Sequence, residues 1–576
     1  MEKGLNIFLI SGLTIAMLFS LFGNASTIFY AHEMVYAYVI MTLAFTGLLF
    51  FLNNPNCKSY TISLLDFAII LFVLYIILLL YLDNFTYFEA ADHCKWGAML
   101  MTYWFIRNLP NKRNIYFVIV CLGVIEALTA ILQMAGYLES QHIYFHITGH
   151  LGNPGPLGGF LAVCTIIALH LNIEAYKAQK KISFILLSIS SILLFFSLIL
   201  SDSRAAYLGV LTGIFILLSF PKQIDTDRKK WKTGIVCLCV VLCASILFYL
   251  YRPQSANARL LIWKVTIEMI TEKPLSGHGI GSFPHKYMLY QARHFCKEKK
   301  DNEVNIADNI SYAYNEILHL GADAGGIGIF CILLIIFCIY KTKDNEKTAQ
   351  NGLIVWGVFS LFSYPSEVFP LLALFPIMSG CIKSQTLFSF QQKNMKGILV
   401  FFCLLISIYS FRQGQFYKRT SNTLSSFANK KSPATLQYVI VHHQQLKSNI
   451  TYHVTYLKWL ACHSANLQYL EMMQQIIPNS ETYVQLGKYY QKTGKIEKAK
   501  QAFIIAADMV PSRLSPNYNL WHLYLDEGDT LQAIRIASKI LSQPVKVINS
   551  FTINAKTEVS EFLQSRNDKR YLLSAD

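Results

Sequence analysis

The sequence predicts an all-α protein: a polytopic membrane bundle of about thirteen helices, followed by a soluble domain of paired helices in tandem. Three observations predict it. The 576 residues are 53% hydrophobic with a mean hydropathy of +0.37, too apolar for a water-soluble chain of this size and too long for one core. Charged residues make up 15%, against about 25% in soluble domains. From about residue 415 the chain turns polar and repeats itself.

Apolar runs long enough to span recur from the start. They lie near 5–22, 35–51, 64–83, 92–107, 115–137, 155–171, 183–200, 205–220, 233–251, 324–340, 352–364, 367–382 and 397–412. The weakest are 92–107, which holds Lys95, and the short pair flanking Ser363-Tyr364-Pro365-Ser366. The first run reads as a retained helix rather than a cleaved signal peptide, since its apolar stretch is longer than a usual signal core and only Met-Glu-Lys-Gly precedes it.

Charge sets the orientation. With the N-terminus in the cytoplasm, the inside segments hold nineteen Lys and Arg and the short outside segments two, Arg204 and Lys95. That is a strong positive-inside bias. It puts the long loop 252–322 and everything after 412 on the far side, the periplasmic face of a bacterial inner membrane. The net charge of +16 is spread over short loops, so topology and anionic lipid or diphosphate partners account for it, not nucleic acid. Most of the thirteen cysteines sit singly in apolar runs as small core residues. Cys296 and Cys462 are the two candidates for a bridge. No metal-ligand spacing is visible.

Two domains follow: a membrane part, 1–412, carrying the loop 252–322, and a tail, 415–576. In the tail, Tyr483, Leu486, Gly487, Tyr490, Gly494, Ala499, Phe503, Ala506 and Pro511 match tetratricopeptide spacing. Leu520, Tyr524, Gly528, Ala533 and Pro544 repeat most of it thirty-four residues on, and Tyr456, Ala465 and Tyr469 suggest a degenerate earlier copy. A capping helix is expected over about 548–572. Such repeats bind a partner segment in their concave face, or act as a structural lid.

Four stretches carry candidate chemistry. Gly149-His150-Leu151-Gly152-Asn153-Pro154-Gly155 is a tight turn leading into a helix whose N-terminus favours an anion, or an ordinary re-entry turn. Ser201-Asp202-Ser203-Arg204 puts an arginine at membrane level, paired with Asp202 or serving as a diphosphate clamp. Arg259 begins a stretch in which Leu260, Trp263, Ile267 and Ile270 share one helical face, as in an interfacial helix; it leads to a turn rich in glycine, Gly277-His278-Gly279-Ile280-Gly281. Ala313-Tyr314-Asn315-Glu316-Ile317-Leu318-His319 then precedes Gly325-Gly326-Ile327-Gly328.

In their order these residues resemble the superfamily of O-antigen ligases, O-antigen polymerases and O-oligosaccharyltransferases, most clearly over 149–330. The family pattern has a GNPN-like turn (here Gly152 to Gly155), a Ser-Arg after a span (Ser203-Arg204), an Arg-x-x-x-Trp helix (Arg259 and Trp263), a Pro-Leu-x-Gly-x-Gly segment (Pro274 to Gly279) and a His-Asn pair ahead of Gly-x-x-Gly. The resemblance implies transfer of a glycan from an undecaprenyl-diphosphate carrier, without cofactor or metal. The acceptor is a lipid A core sugar, a growing glycan or a protein Ser/Thr hydroxyl. It implies that Arg204 and Arg259 hold the diphosphate. One position departs: Tyr314 stands where the family has histidine before Asn315. Tyr314, Asn315 and Glu316 are the catalytic candidates, with Glu316 the nearest carboxylate to orient or deprotonate a hydroxyl; Asp308, His319 and His278 are its rivals.

The expected function is therefore glycan transfer in the ligase or O-oligosaccharyltransferase branch, with a protein partner at the repeats. The alternatives are a periplasmic glycan polymerase, a non-catalytic flippase or transporter of lipid-linked glycan, and an assembly scaffold. No internal repeat of the transporter kind occurs before residue 412.

Overall fold

The computed structural model describes residues 2–22, 39–44, 59–83, 90–219 except 110, 141 and 143, 252–341, 347–391 except 383, and 478–573, with isolated residues between. In chain order its elements begin with α1 (Glu2–Phe22), β1 (Ser59–Ser63), α2 (Leu64–Leu82), α3 (Ala90–Arg107), α4 (Arg113–Met134), α5 (Pro154–Lys177), α6 (Lys181–Leu200) and α7 (Arg204–Ser219). There follow α8 (Pro253–Glu272), α9 (Phe283–Lys297), the short α10 (Asp301–Val304), α11 (Glu316–Lys341), α12 (Lys347–Ser360), α13 (Phe369–Cys381) and β2 (Thr386–Gln391). The tail holds α14 (Ser480–Lys492), α15 (Ile496–Met509), α16 (Leu514–Asp526), α17 (Thr530–Ser542) and α18 (Ser550–Leu573).

These elements form two compact units. One contains α1–α7, residues 314–320, the rest of α11 from Gly326, α12, α13 and the sheet; the other contains α8–α10, Gly321–Gly325 and the tail helices.

In the first unit, α2, α4, α5, α6 and α11 are long and apolar enough to cross a membrane. The expected spans 35–51, 233–251 and 397–412 lie largely outside the described residues. The pair flanking Ser363-Tyr364-Pro365-Ser366 forms helices of 14 and 13 residues, too short to cross alone at about 1.5 Å per residue. Leu74, Ile77, Ile182 and Ile192 on α2 and α6 stay exposed, as side chains facing lipid do. α5 is the buried centre, with α4, α6, α7 and α12 packed on it. Asn153 caps it by accepting from the Gly155 N–H at 2.9 Å, and Pro154 fills the first helical position, where no N–H is needed. Small residues set the close crossings. A Cβ on Gly159 would lie 2.5 Å from the Phe359 ring, and one on Gly158 would lie 2.6 Å from Ser201 Oγ.

A two-stranded antiparallel sheet departs from the all-α expectation. It pairs Ser59 with Gln391 and Thr61 with Ser389. Both strands are short and rich in β-branched or aromatic residues, a weak signal beside the apolar helices around them. β1 runs directly into α2, where Ser63 and Asp66 form a reciprocal cap. Asp66 also accepts from Tyr103 OH at 2.6 Å and pairs with Arg107 at 2.7 Å, so a charge at the helix start is fully matched.

In the second unit the loop is built around Asp323. Its carboxylate accepts from the Gly281 N–H at 2.8 Å, the Phe283 N–H at 3.0 Å and Ser282 Oγ at 3.1 Å. The His278 N–H donates to Ala322 O at 2.8 Å and the Gly279 N–H to Asp323 O at 3.0 Å. Gly277 (φ 69°) and Gly325 (φ 65°) are both left-handed. A Cβ on Gly277 would come within 2.5 Å of the Asp323 carbonyl, so the backbones meet where no side chain fits. His294 bridges Glu268 at 3.0 Å and Glu303 at 2.8 Å, tying α8, α9 and α10 together.

The tail forms two successive helical hairpins, α14–α15 and α16–α17, closed by α18. Gly494 and Gly528 make the two hairpin turns with φ of 75° and 76°. Phe503 packs where Gly487 leaves space. Trp521, Ala533, Ala537 and Ile540 form a core with Val559 of α18. The described part begins after the degenerate earlier copy at 456–469. Within this unit the loop packs on the tail, α9 against α15. Gln291 Nε2, fully buried, donates to Met509 O at 2.6 Å. Lys299 pairs with Asp508 at 2.6 Å and Lys546 with Asp308 at 2.8 Å. Cys296 is a free, exposed thiol, and its proposed partner Cys462 lies outside the described residues.

Asp323→Ala should strand three donors at the loop turn and cost about 3 kcal/mol, read as a lower unfolding temperature and faster proteolytic cleavage near residue 280. Lys299→Asp and Asp508→Lys should each lower the unfolding temperature, and the double exchange should recover most of the loss. The coupling energy expected is about 1 kcal/mol for a partly exposed pair.

Candidate functional site

In the first unit, two short turns grip neighbouring faces of the start of α5. One precedes it. Gly149 (φ 57°) begins a single 3-10 turn, Gly149–Leu151, and its Cα side lies against Leu157 and against Glu126 of α4. Glu126 is fully buried. Its carboxylate accepts from the His150 N–H at 3.0 Å and lies 2.9 Å from His150 Nδ1. Two turns further along α4, Gln133 Oε1 accepts from the N–H groups of Thr148 and Gly149, both at 2.9 Å. One helix thus staples three consecutive residues of the turn.

The second turn is Ser201–Arg204. Ser203 packs against Gly158, and its Oγ donates to Gly155 O at 3.3 Å. Asp202 takes a left-handed conformation, φ 48°, which short polar residues tolerate. Arg204 is half-buried and begins α7. Leu157 and Gly158 are adjacent on α5, so the turns bearing His150 and Arg204 sit side by side at the same end of one helix.

Tyr314, Asn315 and Glu316 are brought together with a segment that sequence reasoning left as a connector. Asn315 Oδ1 accepts from the Ile317 and Leu318 N–H groups at 3.0 and 3.1 Å, capping α11. Tyr314 is left-handed, φ 52°, with its ring edge-on to Tyr364 at 5.2 Å. The Glu316 carboxylate accepts from the Ser366 N–H at 3.0 Å and from Ser366 Oγ at 2.8 Å. Ser366 belongs to a 3-10 turn, Pro365–Glu367. The sign of it in the sequence was Tyr-Pro-Ser between two short apolar runs.

Arg259 lies in the second unit, half-buried near the start of α8. The helix is anchored by Trp263, whose Nε1 donates to Ala313 O at 3.0 Å, one residue before Tyr314. Leu261, Ile262, Val265 and Met269 form its packed face, while Leu260 and Ile267 remain about half exposed.

The rivals to Glu316 are otherwise occupied. His278 is buried, and its Nε2 lies 2.9 Å from Met269 O. Burial holds its pKa below the usual histidine value, so a neutral ring ties the end of α8 to the glycine turn. Burial pushes Asp308 up, but the Lys546 ammonium and the Asn309 N–H outweigh it and leave its carboxyl below the usual range. Asp308 is thus an ionised anchor of the loop to the tail. His319 donates its backbone N–H to Asn315 O at 2.9 Å, within the first turn of α11.

Residues 189–333 match a family model described as O-Antigen ligase. That stretch includes Arg204, Arg259, Tyr314, Asn315, Glu316 and Asp323. A curated protein of Rickettsia felis named "Putative polysaccharide ligase" is 27% identical over 196 residues, 29% of this chain and 42% of that protein. One of the same name from Rickettsia bellii is 24% identical over 214 residues, 32% of this chain and 49% of that protein. The chain thus spans less than half the length of these relatives. No solved structure matches. Through residues 189–333 the chain is a member of the O-antigen ligase superfamily.

Proposed function

We propose that the protein transfers a glycan from an undecaprenyl-diphosphate carrier to an acceptor hydroxyl, on a lipid A core sugar or a protein Ser/Thr, at the periplasmic face of a bacterial inner membrane. The observation that carries this reading is Arg204, fixed at the end of a buried membrane helix inside the stretch that matches the ligase family.

The chemistry follows from the groups. The acceptor oxygen attacks the anomeric carbon, the bond to the carrier phosphate breaks, and the electron pair leaves on the lipid diphosphate. Charge therefore grows on the diphosphate. Guanidinium groups fixed there lower the barrier because they bind the leaving group more strongly than the ground state, and their fork fits phosphate oxygens bidentately. Arg204 and Arg259 take this role. Glu316, held by Ser366, orients the acceptor hydroxyl; Tyr314 and Asn315 shape the backbone around it. The exposed Leu260 and Ile267 beside Arg259 suit a helix lying at the membrane boundary, where a lipid diphosphate sits.

The tail is read as tetratricopeptide repeats. The support is the equal spacing of Gly494 and Gly528, of Tyr490 and Tyr524, and of Ala499 and Ala533, each pair at the same point of its hairpin. A protein partner at that surface would suit a protein acceptor.

The test is reconstitution of the full chain with an undecaprenyl-diphosphate glycan and, in parallel, a lipid A core acceptor and a Ser/Thr protein acceptor. Arg204→Ala and Arg259→Ala should each lower kcat about 10²- to 10³-fold while the protein stays folded. Full activity in both variants sinks the diphosphate clamp. Lengthening of the carrier-bound glycan would indicate a polymerase, and movement of the intact carrier without transfer a flippase. Glu316→Gln should weaken acceptor use about tenfold; unchanged turnover and acceptor KM would remove it from the site.

A further inference from the structure

The turn before α5 holds a buried carboxylate–histidine pair that the reading above does not use. Glu126 sits in an apolar membrane helix with no exposure. A carboxylate is costly there unless its oxygens are matched. Both are matched by one residue, His150, through its N–H and its Nδ1. Because the carboxylate accepts from the backbone N–H, it also takes the ring proton on Nδ1, and Nε2 becomes the ring's acceptor. The ring is 24% exposed, so it is reachable from the surface. A purely structural contact does not require this arrangement: Gln133 already holds the N–H groups of Thr148 and Gly149, and a glycine is needed at 149 to let Glu126 approach.

The position matters as much as the pair. The His150 turn and the Arg204 turn lie on adjacent residues of α5, Leu157 and Gly158. A diphosphate held by Arg204 and a hydroxyl approaching its anomeric carbon would meet at this end of the helix. We propose that His150 is the general base of the transfer and that Glu126 is its positioning residue. This inference rests on the proposed glycan transfer. His150 Nε2 takes the proton of the acceptor hydroxyl as the new C–O bond forms, and the carrier diphosphate leaves with the electron pair of the broken bond. The imidazolium, stabilised by Glu126, then returns its proton to solvent. The pair thus supplies the base that Tyr314 cannot.

The elements packed against the turn are α1, α4 and α5. Their other charged residues lie far along each helix: Arg113 at the start of α4, Glu174 and Lys177 at the end of α5, and Glu2 and Lys3 at the start of α1. Glu126 therefore sets the histidine's charge from these elements, with Arg204 and Asp202 the charged residues of the neighbouring turn.

The experiment uses the reconstituted full chain and the same lipid-diphosphate glycan. His150→Gln keeps a polar side chain but cannot take the proton. It should lower kcat about 100-fold or more, leave the donor KM within about twofold, and abolish the acid limb of the kcat/KM profile. Glu126→Gln should move that limb to lower pH, since removing a carboxylate makes the imidazolium less stable. Wild-type kcat in His150→Gln, or an acid limb that does not move in Glu126→Gln, overturns the proposal. A wild-type profile with no limb between about pH 5 and 8 overturns it without any variant. If the wild type transfers glycan and His150→Gln transfers it equally, only this inference fails; if the wild type transfers nothing, it falls with the proposed function.

Discussion

The close approach of the 201–204 turn to α5 is the contact on which the membrane unit's outer end depends. Ser201 and Ser203 occupy the space beside Gly158 where any other residue would put its Cβ. Without that gap Ser203 could not reach Gly155 O, and Arg204 would not begin its helix against the buried one. In lipid, helices gain little from burying apolar surface against each other, so close packing and satisfied polar atoms decide which helices meet. The same logic explains Asn153 and Pro154, which settle the first backbone groups of α5, and Ser197, whose hydroxyl donates to Ala127 O at 3.0 Å between α6 and α4.

What the sequence shows well is local. The capping of α5 by Asn153 follows from Gly-Asn-Pro, and Gly494 and Gly528 mark real turns at their expected spacing. The family match over 189–333 agrees with the resemblance carried by Ser203-Arg204, Arg259 and Trp263. What stays hidden is pairing across distance. Glu126 reads as one acidic residue in an apolar helix, and nothing near it points twenty-four residues on to His150. Ser366 looks like part of a break between short spans, although it holds Glu316 from fifty residues away. The two strands at 59–63 and 386–391 are hidden for the same reason, since neither carries a signal until the other lies beside it.

His278 shows why a residue type alone misleads. It stands in the glycine turn that looks most like a site, yet burial and Met269 O make it a neutral strut. Asp323, an ordinary acidic residue at the start of an apolar run, organises that turn with three donors on one carboxylate. The glycines there serve a meeting of two backbones rather than a cradle for phosphate.

The loop and the tail share an interior. Gln291 reaches the backbone of α15 from a fully buried position, and Lys299 and Asp308 hold ion pairs with residues two hundred or more positions away. For anyone shortening or fusing this chain, the seam at residue 415 is thus a false one. A cut there would leave the helix α9 with an open face, and a tail made alone would lack the segment that covers α15. The smallest piece with a closed second unit has to carry both stretches, so the chain between them has to be kept or replaced by a linker of comparable reach.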